Sequence, residues 1–245
     1  MQIKKLFIAL GIVLPLHMQG QNFLIKDAPE VIESYVNQFN REDNELYKQD
    51  IPNCGASDFL RKNIPFFECP DKELEKTYYF RWWTYRKHIK KTPDGFVITE
   101  FLPDVPWSGK YNTISCAANH HFYEGRWLRN AEILSDYASF WFSGSGNPRL
   151  YSFGAADAIY NYYLIHNDKM LLADLYPKLK DNFAKWEEEK RDSTGMFWQV
   201  DDRDGMEMSV SGHLSEGGRG YRPTINSYMY GEAVALAKIA SIVDR

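Results

Sequence analysis

Between residues 198 and 232 the chain reads WQVDDRDGMEMSVSGHLSEGGRGYRPTINSYMYGE, a stretch that sets Asp201, Asp202, Asp204 and Glu207 among aromatic, methionine and glycine residues. Carboxylates among aromatics suit sugar chemistry. Cleaving a glycosidic bond takes one protonated carboxylic acid for the leaving oxygen and one carboxylate to activate water or to attack. Glu207 lies between Met206 and Met208, an apolar setting that raises a carboxyl pKa as a general acid requires. Asp201 and Asp204 read as more solvated. Arg222 and Asn226, four residues apart across a helix start, could hold sugar hydroxyls, although the same spacing also serves to cap that helix.

Other chemistries fit less well. Asp202-Arg203-Asp204-Gly205 invites a calcium loop, but the first and twelfth ligand positions would be Val200 and Ser211, where such a loop needs acids. His120, His121 and Glu124 are spaced like metal ligands on a helix, yet they match no zinc-protease pattern, and a polar cluster facing a pocket is the reading adopted. The Gly217–Gly220 run follows no strand, and neither a phosphate-binding loop, a dinucleotide fingerprint nor a nucleophile elbow occurs. No metal or cofactor is expected.

The elements that must position these residues read as mainly α. Asp71–Lys91 opens with acids and closes with bases, as the helix dipole favours, and places Trp82 and Trp83 at helical spacing. Phe96–Leu102 is a short β-like run holding Glu100, and 103–113 is a loop around Trp107. Helices are predicted over about 119–142, 152–166, 169–190 and from Pro223 to the C-terminus, from apolar residues at helical spacing. The 198–222 connection is far longer than most loops, which marks it as a functional wall of a site. Residues 51–72, with Pro52, Gly55, Pro65 and Pro70, read as loop, and 21–50 as polar and peripheral apart from an amphipathic stretch over 31–39.

Lys4 and Lys5 precede an apolar run, Leu6 to Leu16, with a small-residue exit near Gly20, the pattern of a secretory signal peptide. Residues 1–20 are therefore expected to be removed on export, most simply to a bacterial periplasm, leaving no membrane attachment. With 29 basic and 33 acidic residues and a net charge of −4, the basic stripe of a nucleic-acid partner is missing. Cys54 and Cys69 could close a disulfide worth about 3 kcal/mol, or all three cysteines, Cys116 included, could stay reduced.

The runs YYFRWWTYRKHI, DGFVITEFLPDVPWSG, NHHFYEGRWLRN, WQVDDRDGMEMSVSG and RPTINSYMYGEA resemble the six-hairpin, (α/α)6-toroid glycoside hydrolases related to trehalase, glucosidase I and mannosylglycerate hydrolase. The resemblance spans roughly 75–245. It implies a toroid of helical hairpins with long loops on one face, and it sets Glu207 where that group carries its general acid as Asp. The group's base lies several helices later, so 71–245 is expected to be part of such a domain, truncated at its C-terminus after 21–70 as an N-terminal polar segment. The reading is a secreted glycoside hydrolase acting with inversion on oligo- or polysaccharides, which needs its two carboxyls about 6.5–9.5 Å apart. Trp198, Gln199, Asp201, Arg222, Asn226 and Tyr228 would line the sugar subsite. Trp107, His120, His121 and Glu124 would form the opposite wall, with Trp82, Trp83, Glu100 and Arg126 as weaker candidates. Two rivals remain. A non-catalytic carbohydrate-binding protein of the same fold would not need Glu207, and an α-toroid polysaccharide lyase would release an ultraviolet-absorbing product.

Overall fold

The computed structural model describes residues 28–206 and 218–243. The expected signal peptide and Glu207 lie outside the described residues. Eight helices are found among those described: α1 (Ala28–Glu42), α2 (Ala56–Asn63), α3 (Lys72–His88), α4 (Ser115–Gly125), α5 (Glu132–Phe142), α6 (Ala155–His166), α7 (Lys169–Lys190) and α8 (Pro223–Val243). Strands β1 (Ile89–Thr92) and β2 (Gly95–Ile98) form an antiparallel hairpin after α3, and β3 (Trp198–Gln199) pairs with β4 (Gly220–Tyr221) before α8.

Local chemistry accounts for the helix ends. Asp71 accepts hydrogen bonds from the Glu73 and Leu74 amides to open α3, and Arg86, Lys87 and His88 close it, satisfying orphan donors at one end and the dipole at the other. The helix stops at His88, short of the expected Lys91, because Ile89 to Thr92 peel off to pair with Ile98 to Gly95. Asp168 caps α7 through the Leu171 amide, and Pro223 opens α8, where its missing N–H costs nothing.

The side-chain contacts fix the layering. Asn119 on α4 reaches the Gly154 amide, Tyr123 reaches Asp157, and Arg126 reaches Asn161. The partner numbers climb together, so α4 and α6 run parallel. Glu232 meets the Asp157 amide, and Lys238 lies over the Tyr160 ring, so α8 is parallel to both. Helices α5 and α7 are the return strokes, with α7 packed on α6 and α8. This is a layer of parallel inner helices backed by antiparallel returns: a series of helical hairpins, mainly α and toroid-like, as the resemblance implied. All three inner helices begin at the same end.

Several expectations need correcting. The single helix expected over 119–142 is two, α4 and α5. After Gly125 the chain turns so that the Arg129 amide donates to the Asn63 carbonyl at 2.8 Å, and Asn130 accepts from the Glu132 amide to start α5. The stretch 51–72 contains α2, and α1 is no peripheral strand of polar chain: Ile32, Val36 and Phe39 are buried in the main core with Leu60 of α2 and Tyr79 and Trp83 of α3. Trp82 and Trp83 are each 4% exposed, so they are core and line no wall. Of the two states left open for the cysteines, Cys54 and Cys69 take the unbridged one. A second small core of Trp186, Phe197, Ile225 and Met229 joins α7, the chain before β3, and α8. No helix among the described residues is long and apolar enough to cross a membrane.

Candidate functional site

The 198–222 excursion leaves α7 and returns into α8, and its base is tied shut. Trp198 pairs with Tyr221 and Gln199 with Gly220. The Asn226 side chain clasps the Phe197 peptide, accepting from its N–H at 2.9 Å and donating to its carbonyl at 2.8 Å, while also donating to the Arg222 carbonyl. Arg222, 1% exposed, forms an ion pair with Asp201 at 2.6 Å and donates to the Gly218 carbonyl. Asn226 and Arg222 thus hold the excursion itself, and Gln199, 1% exposed, is buried at its root. Gly218 has φ +73° and approaches so closely that a Cβ would lie 2.9 Å from that of Asp201, which only glycine tolerates.

The excursion is docked across the starts of the inner helices. Asp204 is 2% exposed, contrary to the solvated position expected, and accepts from the Ser152 hydroxyl at 2.7 Å. The Ser152 amide in turn donates to the Arg203 carbonyl at 2.9 Å. Gly205, with φ +72°, leaves 3.0 Å between its would-be Cβ and the Cys116 Cβ at the start of α4. Tyr228, half-buried on α8, has its phenol pKa pushed up by burial and by the neighbouring Cys116 and Asp204. Asp201, Asp204 and Tyr228 are therefore brought together where α4, α6 and α8 begin, and the chain enters 207–217 from that point.

Trp198 stands beside a cavity of about 540 Å³ that it lines with Arg219, Gly220 and Tyr221. The Arg219 guanidinium and the Lys190 ammonium lie over its ring at 3.8 and 3.9 Å from the centroid. Burial lowers the Lys190 pKa, and nearby Arg219 lowers it further.

The opposite wall does not assemble as one surface. Trp107 is 52% exposed, packed edge-on against Phe101 in the 101–114 loop. His120 is exposed. His121 and Glu124 turn toward α3 instead, where Arg81 grips Glu124 through two hydrogen bonds of 2.6 and 3.2 Å and Glu100 borders the same cavity. Arg126 is bound to Asn161.

Sequence reasoning missed two acids on the inner layer. Glu232 of α8 is fully buried, accepting from the Ala156 and Asp157 amides at the start of α6. Burial pushes its pKa up to about 8, against the pull of those amides. Asp157 beside it accepts from the Tyr123 hydroxyl, and burial raises its pKa too. The signal was available: Glu232 follows Ile225 and Met229 by seven and three residues on the buried face of α8.

A model of the mannosylglycerate hydrolase MGH1-like glycoside hydrolase domain matches residues 110–245, which takes in α4 to α8 and the whole excursion. The chain belongs to the MGH1-like glycoside hydrolase family. A solved structure titled "Sialidase" superposes with a TM-score of 0.82 at 42% sequence identity, covering 88% of this chain and 20% of that one. The chain thus spans about a fifth of that protein's length. No curated protein matches it. The MGH1-like match agrees with the resemblance read from the excursion and the aromatic runs.

Proposed function

We propose that this MGH1-like domain hydrolyses O-glycosidic bonds of oligo- or polysaccharides with inversion, and that Glu207 is the general acid. The observation that carries the proposal is the docking of the excursion: Asp204 and Gly205, immediately ahead of Glu207, are held against Ser152 and Cys116 where the three inner helices start. Positioning is worth much of a hydrolytic barrier, and anchoring of the chain at Asp204 and Gly205, ahead of Glu207 in sequence, supports that reading. Trp198 and Tyr221 border the adjoining cavity and would contact the sugar, whereas Arg222, Asn226 and Gln199 would act through the loop they hold. Residues 1–20 are proposed to direct export, with the domain working in the periplasm of a bacterium.

The test is a panel of oligosaccharides assayed for released reducing sugar, with the anomer first formed read by proton NMR. Inversion of the anomeric configuration is expected. Glu207→Gln should lower kcat by about 10²–10⁴-fold, the usual contribution of a general acid. Full activity in that variant would remove Glu207 from the mechanism, and an ultraviolet-absorbing product would replace hydrolysis by elimination.

A further inference from the structure

Backbone pairing sets Lys190, Trp198 and Arg219 side by side. Arg191 bridges to Phe197 in antiparallel register, so Lys190, the last residue of α7, stands across from Trp198. On its other side Trp198 pairs with Tyr221, and Arg219, two residues before Tyr221, shares that face of the strand. The two cations thus reach one indole from its two flanks, the Lys190 ammonium at 3.9 Å and the Arg219 guanidinium at 3.8 Å from its centroid. Cation–π attraction lets the ring hold both heads.

These two charges lack a counterion. Sharing one ring puts them no more than about 8 Å apart, about a Debye length at physiological ionic strength. The carboxylates around them are engaged elsewhere: Glu187 pairs with Arg191 and Glu189 with Arg149, and Asp192 accepts from Thr194 and from the Tyr221 hydroxyl. Neither Lys190 nor Arg219 forms an ion pair among the described residues. Burial disfavours the Lys190 ammonium, and the Arg219 charge adds to this against the pull of Glu189. Like charges gathered in a partly dried place repel each other, and an anion between them would be attracted by both. Trp198 and Arg219 line, with Gly220 and Tyr221, the cavity of about 540 Å³ at the root of the excursion. That is room for a sugar ring, and Gly220 carries no side chain to fill it.

We infer that this cavity selects an acidic saccharide, binding the anionic substituent of one sugar unit, a carboxylate or a sulfate ester, through Arg219 with Lys190 supplying the second charge. The planar fork of Arg219 can meet two oxygens of such a group at once. The inference rests on the reading of the domain as a hydrolase acting at the excursion, and it names the class of substrate.

The test is calorimetric titration of the full chain with trimers of glucuronate, galacturonate and mannuronate, each beside its methyl ester, and with sulfated galactose beside plain galactose. At least one anionic probe should bind about tenfold or more tightly than its neutral counterpart, the scale of one charge-assisted hydrogen bond, and high salt should shrink that margin. Arg219→Gln, at an exposed position, and Lys190→Gln should each remove most of it, whereas Arg219→Lys keeps the charge and should keep most of the margin. Selectivity for uronates alone would assign the site to carboxylates, and selectivity for the sulfate as well would assign it to both. The inference is overturned if no anionic probe binds, if every neutral counterpart binds as tightly, or if both Gln variants keep the margin. The hydrolase reading fails separately: acid-selective binding with no sugar released from any glycoside would end that reading and leave the site standing. Hydrolysis of neutral glycans with no preference for acidic ones would do the reverse.

Discussion

Glu232 keeps its proton to about pH 8, whereas an ordinary glutamate loses it near 4.5. Across that window the unfolded chain releases a proton that the folded chain holds, so stability falls as pH rises from about 4.5 to about 8 and then levels off. Glu232→Gln keeps an acceptor for the α6 amides and removes the ionisation. It should flatten this part of the stability profile and leave the variant more stable than the parent above pH 8, as chemical denaturation across the window will show. Asp204 makes the complementary case. Ser152→Ala takes away one of its hydrogen bonds in a buried place and should cost about 1–3 kcal/mol, and Asp204→Asn should lower kcat more than it raises KM, since Asp204 positions the loop and is not expected to touch substrate. The two acids differ in how legible they were. The spacing of Glu232 from Ile225 and Met229 already put it on the buried face of α8, but the burial of Asp204 depends on Ser152, 52 residues away, and nothing local announces it.

Among the elements, the excursion's base is the part most open to test. Asn226→Ala removes both bonds to the Phe197 peptide and should destabilise the chain by about 1–3 kcal/mol, with the Phe197 amide losing most of its protection from hydrogen exchange. A variant that leaves that amide protected would show that β3 and β4 close the loop unaided. Helices α3, α6, α7 and α8 were readable from apolar residues at helical spacing, with charge order added for α3 and a first-turn proline for α8. The break between α4 and α5 was not. Trp127, Ala131 and Leu134 continue the helical spacing straight through it, and the turn is set by a contact to Asn63 from a distant part of the chain. Helix α2 was hidden by Pro52 and Gly55, which precede it in place of interrupting it.

For the molecule as a whole, the parallel order of α4, α6 and α8 was not visible in the sequence, since it emerges only from paired contacts between helices; the toroid class came from resemblance. The unbridged state of Cys54 and Cys69 predicts that both react with a thiol reagent in denaturant without reductant, with exposed Cys54 reacting first in the folded chain; two missing equivalents would indicate a bridge. The closed base of the excursion has a further bearing on how such domains diversify. Its ends are joined by the β3–β4 pair, the Asn226 clasp and the Arg222–Asp201 pair, so residues inserted between them load no strain onto the helices. Doubling a flexible loop adds only about 0.6 kcal/mol of closure entropy. A lineage could therefore lengthen, shorten or rewrite the segment between Glu207 and Gly218 to suit a new sugar, one step at a time, while the frame that holds it goes on folding as before.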